Sequence, residues 1–323
     1  MNEICELIKI KNIETTINNI TEFIKKEVFE IYQKKGVVIG LSGGIDSAIT
    51  AALCTKSIGS DKILGLILPE KESDENSENL ALQIAKKYNI ETKSINITSI
   101  LESFGVYDNK EKIVKEKFAK YNEECKYRVV VPPKLENNIG MPFLEILDDK
   151  NTLHKLKISS FDFLNLTAAT SIKHRVRMTM LYNYAEKNNF AVIGTTNKTE
   201  YLQGYFVKYG DGGSDIEPLV HLYKTQIYQI AESLKLPEKI INQDASPDVW
   251  SFKTNDEEFF YAVPYNVVDL ILYARENNLS INEILKYSKL SSEKIEKLIQ
   301  FQNQKQNKSQ TMRENPHSIK VQG

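Results

Sequence analysis

The sequence has few of the residues that build disulfide frameworks, structural zinc sites and membrane spans. Its three cysteines are widely scattered and form no CxxC pair, which excludes the first two classes and is typical of a reducing cytosol. No apolar run approaches the roughly 20 residues that a membrane-spanning helix needs. Charged residues interrupt the apolar positions of the N-terminal segment, unlike a signal peptide. We therefore expect a cytoplasmic protein with no membrane partner.

An excess of charge of either sign is also lacking. The 323 residues carry 42 basic and 43 acidic side chains, a formal net charge of -1, and this balance gives no global attraction to nucleic acid. The hydrophobic content of 41% is ordinary for a globular protein. We expect no nucleic-acid partner, a single domain over residues 1–300, and a polar C-terminal tail over residues 301–323.

Short apolar runs alternate with helical patterns along the chain. Residues 37–41 (VVIGL), 63–69 (ILGLILP) and 191–195 (AVIGT) are predicted strands, and helical patterns follow the first two. This alternation predicts an α/β fold whose doubly wound parallel sheet has helices on both faces. Residues 128–162, where prolines, asparagines and a glycine interrupt β-like runs, are predicted to form an inserted flap. The C-terminal extension is predicted to be helical.

Between residues 13 and 31, apolar side chains recur at spacings of three and four. This spacing predicts one amphipathic helix. Its apolar stripe is expected to pack either on the same chain or on a second copy of it.

The most informative stretch is the loop SGGIDS, residues 42–47, between the first predicted strand and its helix. Glycines let backbone N–H groups turn into one concavity, and a helix N-terminus adds partial positive charge, so the pattern indicates a phosphate site. The lysine of a Walker loop is missing. Asp46 is explained if it holds Mg²⁺ shared with the phosphate, while Ser42 and Ser47 supply hydroxyl groups. A lone Ser-Gly-Gly would be an ordinary capped turn, but the complete strand–loop–helix context favours a functional site.

A second set of polar residues surrounds a glycine-rich bend after the strand at 191–195. Residues 171–178 (SIKHRVRM) place a lysine and two arginines on a predicted helix. Acidic side chains alternate with lysines around the bend, and the set is Glu200, Lys208, Asp211, Asp215 and Lys224. Such a set is expected where Mg²⁺ and polyphosphate are held together. A solvated loop with weak surface ion pairs is the alternative, but the density of charge at the carboxyl end of a strand favours a site.

These motifs resemble those of known enzymes. SGGIDS resembles the pyrophosphate loop of the N-type ATP pyrophosphatases, and residues 171–226 resemble the ammonia-dependent NAD synthetase family, whose pattern is approximately NxKAR-RM, GTGNKSE, GYFTKYGDGGxDIxP and LYKTQ. The resemblance implies a five-stranded sheet of the adenine nucleotide alpha hydrolase (HUP-like) type, with ATP as substrate and Mg²⁺ as cofactor. It also implies a homodimer that adenylates a carboxylate, deamido-NAD in that family, releases pyrophosphate and forms the amide with ammonia.

The resemblance further implies roles for individual residues. Asp46 and Glu200 match the Mg²⁺ ligands, and Lys208, Asp211 and Asp215 match residues that face the carboxylate substrate. The residues that match contacts with ATP or its pyrophosphate are Ser42, Gly43, Gly44, Ser47, Arg175, Thr195, Lys224 and Ser246. The implied catalytic set is Asp46, Lys208, Asp211 and Lys224, because charge on the phosphates must be neutralised while the carboxylate attacks.

Two motifs depart from the family pattern and leave the identity of the acid open. The family's PSAGLW is ASPDVW here, with Asp248 in the glycine position, and residues 311–313 (TMR) replace the HKR of the C-terminal HKR-x-x-P. A relative that amidates another carboxylic acid is therefore the alternative. No domain for hydrolysing glutamine is predicted, so ammonia is expected to be free or supplied by a separate glutaminase. Neutral charge and missing CxxC motifs disfavour a tRNA-modifying relative, and the intact Asp46 and Glu200 disfavour a binding module without catalysis.

Overall fold

A computed structural model describes residues 5–130, 142–246, 248–261 and 263–318. Its strands are β1 (Val37–Gly40), β2 (Ile63–Ile67), β3 (Glu91–Ser94), β4 (Lys126–Val130), β5 (Phe143–Leu147), β6 (Leu153–Lys157) and β7 (Ala191–Ile193). Four of them form a parallel sheet in the order β3-β2-β1-β7, and the other three form an antiparallel sheet in the order β4-β5-β6.

Helices account for most of the remaining described chain. They are α1 (Ile13–Lys26), α2 (Ile45–Ile58), α3 (Glu75–Tyr88), α4 (Thr98–Ser103), α5 (Val106–Lys117), α6 (Ser160–Asn188), α7 (Lys198–Gln203), α8 (Lys224–Ser233), α9 (Glu238–Ile241), α10 (Tyr265–Glu276), α11 (Ile281–Leu285), α12 (Ser292–Lys308) and α13 (Gln310–Arg313). Short π-helical turns follow α1 (Glu27–Ile31) and precede α10 (Glu257–Tyr261). In the described residues, no helix has both the length and the apolarity needed to cross a membrane.

The parallel sheet is covered by helices on both faces, which confirms the predicted α/β class. Val37 and Ile39 of β1 pack with α1, α2, α3 and α8, while Val38 points to the other face and packs with α4, α5 and α6. All three side chains are fully buried. A strand buried on both faces needs a continuous apolar run, and this is why VVIGL could be identified from the sequence.

The apolar stripe of α1 faces this same core. Ile17, Ile20 and Ile24 are at most 5% exposed and lie in one cluster with residues of α2. Of the two partners left open for this helix, the structure shows packing on its own chain.

The sheet reverses its winding at β1. From β1, the strands β2 and β3 extend the sheet to one side, and β7 lies on the other. The crevice outside the carboxyl ends of β1 and β7 is therefore the place where ligands bind in sheets of this kind. The expected fifth strand is reduced, among the described residues, to one parallel bridge between Ile193 and Ile216. Pro218, two residues farther on, has no N–H group with which to extend that pairing.

The described part of the expected flap is an antiparallel sheet. Tyr127 pairs with Ile146, and Leu144 pairs with Leu156. Three of these side chains are buried in one cluster with Trp250. Residues 131–141, which include the prolines and asparagines behind the expectation, lie outside the described residues. At its other end the flap is shorter than expected, because α6 already begins at Ser160.

The C-terminal residues form a helical layer, and the helices continue through the first part of the segment where the polar tail is expected, as far as residue 313. Helix α12 continues to Lys308, and α13 follows directly. Gln302 is only 3% exposed, and its Nε2 donates to the carbonyl of Val268 at 3.1 Å. This hydrogen bond lets a polar side chain occupy a core position, where a sequence pattern would require an apolar one.

Candidate active site

The loop from Ser42 to Ser47 connects β1 to α2 at the switch point of the sheet. Gly43 has φ of +82°, and a Cβ there would lie 2.4 Å from the carbonyl oxygen of Ser77, so the position requires glycine. The hydroxyl groups of Ser42 and Ser47 lie 3.1 Å apart, and the Ser42 hydroxyl accepts from the N–H of Gly44 at 3.2 Å. The loop is thereby held as a turn at the N-terminus of α2, where backbone N–H groups favour an anion.

Three charged side chains meet beside this loop. Lys224, at the start of α8, places its Nζ 2.5 Å from Oδ2 of Asp46 and 3.6 Å from Oε1 of Glu200. The other carboxylate oxygen of Asp46 accepts from Nδ2 of Asn197 at 3.0 Å. Asn197 also caps α7, whose capping box includes Glu200. The loops after β1 and β7, which are distant in sequence, therefore converge on one ionic cluster.

The electrostatics of this cluster favour an added cation. Burial, followed by the charge of Asp46, raises the pKa of Glu200 to about 8. Burial alone would lower the pKa of Lys224, but Asp46 and Glu200 outweigh it and raise that pKa above its usual range. Two carboxylates thus share one ammonium group, so the ionised form of Glu200 is energetically unfavourable in the ligand-free protein. A divalent ion bound beside the carboxylates would stabilise that ionised form.

The donor set fits a Mg²⁺ ion that is bound partly by protein carboxylates and partly by the phosphates of a substrate. In the described part of the chain, no group of three or more His, Cys, Asp or Glu side chains could hold a metal alone. Mg²⁺ usually takes one or two carboxylates and completes its coordination with substrate phosphates and water. Asp46 and Glu200 provide the two carboxylates next to the predicted phosphate loop, so these residues would hold the ion.

The cluster opens into a large cavity of about 1480 Å³. Its walls come from the loops after β1, β2 and β7, from one side of α6, from residues 243–256, and from the end of α12. Of the residues predicted to bind ligands, those that line the cavity are Ser42, Gly44, Asp46, Ser47, Thr195, Glu200, Asp211, Lys224 and Ser246. Gly43 supports the loop from behind, against the backbone of Ser77.

Three predicted site residues have other partners in the structure. Both carboxylate oxygens of Asp215 are used internally, since they accept from the Tyr182 hydroxyl at 2.9 Å and the Val192 N–H at 2.8 Å. Lys208 donates from Nζ to the carbonyls of Thr311 and Glu314, at 2.7 and 3.2 Å.

The third such residue is Arg175, which is exposed and donates from Nε to the carbonyl of Lys208 at 3.3 Å. None of Arg175, Lys208 and Asp215 is among the described residues that line the cavity. The expectation that Asp215 faces the substrate is not supported by this placement, because both oxygens of its carboxylate accept hydrogen bonds from β7 and α6. The arginine of α6 that lines the cavity is Arg177, two residues farther along the helix, whose Nε donates to the carbonyl of Leu68 at 3.3 Å.

The structure also brings an acid to the site that carries no sequence motif. Asp256 is 5% exposed, and its carboxylate accepts from the hydroxyls of Tyr205 at 2.7 Å and Tyr265 at 3.2 Å. Burial raises the pKa of Asp256. The described residues 243–246 and 248–256 contribute to the cavity wall and include this group, and an isolated Asp in a loop gives no sequence signal for it.

Comparison with known proteins gives consistent matches over most of the chain. Residues 16–141 and 133–312 match the family model of NAD synthase. The NH(3)-dependent NAD(+) synthetase of Mesorhizobium japonicum is 36% identical over 283 residues, which are 87% of this chain and 89% of that protein. Among solved structures, the NH3-dependent NAD synthetase of Campylobacter jejuni has a TM-score of 0.63 at 25% identity, with 96% of this chain and all of that chain covered. NMN synthetase from Francisella tularensis shares the fold, with a TM-score of 0.65 at 24% identity, covering 96% of this chain and 99% of that one.

Proposed function

Because this chain belongs to the NAD synthase family, we propose that it is an ammonia-dependent NAD synthetase. Its reaction joins ammonia to the carboxyl group of deamido-NAD, with cleavage of ATP to AMP and pyrophosphate. The chain spans most of the length of the relatives that carry out this reaction. Those relatives favour deamido-NAD over the alternative of a different carboxylic acid.

The observation that carries the proposal is the contact of Lys224 with Asp46 and Glu200 beside the SGGIDS loop. The loop N–H groups and the hydroxyls of Ser42 and Ser47 would hold the departing pyrophosphate. Bound Mg²⁺, held by the two carboxylates, would supply charge neutralisation at the phosphates. Lys224 keeps the carboxylates oriented before any ligand arrives, which reduces the reorganisation that the reaction requires.

Of the three residues predicted to face the carboxylate substrate, Asp211 is the one found among the described residues that line the cavity. Asp211 lines the cavity and is held at the glycine-rich bend, where its Oδ1 accepts from the N–H of Val207 at 2.9 Å. Ser246 also lines this cavity. We assign Asp211 to contact with the carboxylate substrate and Ser246 to contact with ATP, whereas Lys208 would join Asp211 only if it left the carbonyls of Thr311 and Glu314.

We further propose that the protein acts as a cytoplasmic homodimer that uses free ammonia or ammonia from a separate glutaminase. The apolar stripe of α1 is buried in the core of its own chain and is therefore not available for a second copy. A different surface, formed by Phe161 and Leu164 on α6, is 75% and 63% exposed. Two large apolar side chains one turn apart are a suitable contact for a second copy.

The activity is tested with the purified chain, ATP, Mg²⁺, deamido-NAD and ammonium chloride. We expect AMP, pyrophosphate and NAD in equal amounts, measured by chromatography. Glutamine freshly freed of ammonia should not replace ammonium. Release of ADP and phosphate, or AMP without NAD in the presence of deamido-NAD and ammonium, would contradict the proposal.

A further inference from the structure

The end of α12 forms one wall of the cavity and brings a lysine into it. The cavity-lining residues of this helix are Phe301, Gln304, Lys305 and Lys308. Lys305 is partly buried, and its Nζ lies 3.3 Å from the centroid of the Phe260 ring and 4.5 Å from that of Phe301. It also donates to the carbonyl oxygen of Phe260.

Lys305 has no acidic partner among the side chains that the structure describes. Of the other lysines of the cavity wall, Lys224 contacts Asp46, and Lys253 contacts Asp74 at 3.5 Å. The remaining three, Lys71, Lys126 and Lys308, are exposed to solvent, unlike Lys305. Lys305 makes no ion pair within the described residues. Burial lowers its pKa well below the usual range. Faces of aromatic rings attract a cation, but they do not neutralise it, so an anion bound beside Nζ would stabilise the charged form of Lys305.

A short series of contacts connects Lys305 to the ionic cluster. The charge of Asp256 contributes to the raised pKa of Glu200, so these two acids are neighbours. Asp256 accepts from the Tyr205 hydroxyl at 2.7 Å, and the Tyr205 ring stacks on Phe260 with centroids 4.3 Å apart. Phe260 in turn contacts Lys305. The lysine is thus part of the same cavity wall, a few side chains from the predicted metal ligands.

We propose that Lys305 is a binding residue for a phosphate group of the nucleotide ligands, either of ATP or of the pyrophosphate bridge in deamido-NAD. This inference rests on the proposed function for the identity of the ligands. The surrounding rings hold the side chain in the cavity wall, and a phosphate oxygen would supply the negative charge that the described neighbours of Lys305 do not. Residues 311–313 lack the basic pair of the family motif, and Lys305 adds positive charge from the helix just before them.

A purely structural lysine and a phosphate-binding lysine differ in the effect of Lys305→Met. Methionine keeps the contacts with Phe260 and Phe301 and removes a desolvated charge. Without ligand, K305M should therefore unfold at the same temperature as the wild type or at a higher one. Its affinity for a phosphate-bearing ligand should fall about ten- to hundredfold, the effect of losing one charge-assisted hydrogen bond.

The experiment measures ATP binding with Mg²⁺ and, separately, deamido-NAD binding, by calorimetry on the full chain. The variants are K305M, K305Q and the charge-preserving K305R, with K297M as control, because Lys297 pairs with Glu293 on the exposed face of the same helix. We expect K305M and K305Q to weaken one ligand at least tenfold, K305R to stay within about threefold, and K297M to match the wild type. The ligand that is affected identifies which phosphate Lys305 binds.

Unchanged affinity for both ligands in K305M and K305Q would overturn the proposal. So would weakened binding that K305R fails to restore, together with a loss of stability in the ligand-free protein, since that pattern indicates a structural lysine. ATP binding is measured without turnover, so the outcome is separate from that of the activity assay. If the wild type binds ATP but forms no NAD, the proposed function fails while the role of Lys305 is still decided.

Discussion

Asp46 has two tasks at the scale of single residues. It neutralises Lys224 through Oδ2 and is fixed by Asn197 through Oδ1, and under the proposed function it is one of the two carboxylates that would hold Mg²⁺. The second task explains why an acid is tolerated next to a phosphate loop. The first explains how that acid is kept in place in the ligand-free protein, where its own charge and that of Glu200 would otherwise repel.

Replacing Asp46 by alanine should separate these tasks. Lys224 would keep Glu200 as its partner at 3.6 Å, so we expect a folded protein. ATP–pyrophosphate exchange in the presence of deamido-NAD should fall at least about a hundredfold, because transition-state charge loses its counter-ion. Asp61→Ala is the control, since Asp61 pairs only with Lys62 on the surface. Exchange at the wild-type rate in D46A would remove the metal assignment.

Asp269 gives a prediction on pH from a buried side chain that bonds the neighbours of Glu200 and Lys224 in sequence. It is fully buried, and its carboxylate accepts from the Thr199 hydroxyl at 2.6 Å and the Thr225 N–H at 2.8 Å. Burial, only partly opposed by these hydrogen bonds, raises its pKa to about 6, from an ordinary value of 3.8. The folded state therefore binds this proton more tightly than the unfolded state does, so the contribution to stability is full below the ordinary pKa and is lost as pH rises through about 6.

Urea unfolding of the wild type and of Asp269→Asn measures this effect. The free energy of unfolding of the wild type, minus that of D269N, should be larger at pH 5 than at pH 7.5. The difference isolates Asp269, because the other titrating groups are common to both proteins. Equal differences at the two pH values, or a larger one at pH 7.5, would contradict the assigned shift.

At the scale of secondary-structure elements, a second buried ionic cluster holds the cavity walls together. Lys173 of α6 contacts Glu70 at 2.7 Å and also contacts Glu72, and Lys110 of α5 contacts Glu72. Both lysines donate to the carbonyl of Val249, at 3.1 and 3.2 Å. The loop after β2, two helices and the segment that carries Ser246 are thereby fixed to one another.

The two lysines of this second cluster should differ in their contribution to stability. Lys173→Met leaves Glu70 without its cation although the Glu70 side chain is fully buried, and breaking such a pair costs about 3–5 kcal/mol. Lys110→Met leaves Glu72 still paired with Lys173. Burial, and then the charge of Lys173, already lower the pKa of Lys110 to about 8, so its removal also relieves repulsion. We expect K110M to cost less than half as much in urea unfolding, and a larger loss for K110M would contradict this account.

The same scale shows what the sequence could predict. Short continuous stretches of sequence predict β1, β2, β7 and the phosphate loop. Burial determines the apolar runs of the strands, and the local backbone shape determines the glycines of the loop. The position of Lys208 depends on where residues 311–314 dock, which no local pattern specifies. Gln302 was assigned to a tail because its core position is occupied by a polar residue whose partner, the carbonyl of Val268, belongs to another helix.

Asp248 occupies the position of the glycine in the family motif PSAGLW. The family pattern has glycine there, and the structure gives Asp248 a φ of +47°, a conformation that favours glycine. The left-handed conformation is thus kept although the glycine is replaced. The motif could not predict that the carboxylate accepts from the N–H of Asp74 at 2.9 Å and joins two loops of the cavity.

At the scale of the whole molecule, the near-zero net charge removes long-range repulsion between copies. Self-association then depends on which apolar surface is available. The stripe of α1 is buried within the chain, whereas Phe161 and Leu164 remain exposed on the first turns of α6. Phe163 and Thr167 on the same turns line the cavity. A second copy bound at this surface would therefore support the wall of the active site as well as cover apolar area.

Phe161→Glu tests this arrangement in sedimentation equilibrium. A charge introduced into the centre of a dimer contact should weaken association at least about a hundredfold, because the buried carboxylate has no partner. Phe104→Glu is the matched control, since Phe104 is 58% exposed at a different place on the surface. We expect wild type and F104E to sediment as dimers and F161E as a monomer whose kcat falls, since α6 loses support at Phe163 and Thr167. A dimeric F161E would place the contact elsewhere, and a monomeric F161E with full activity would show that each cavity is complete within one chain.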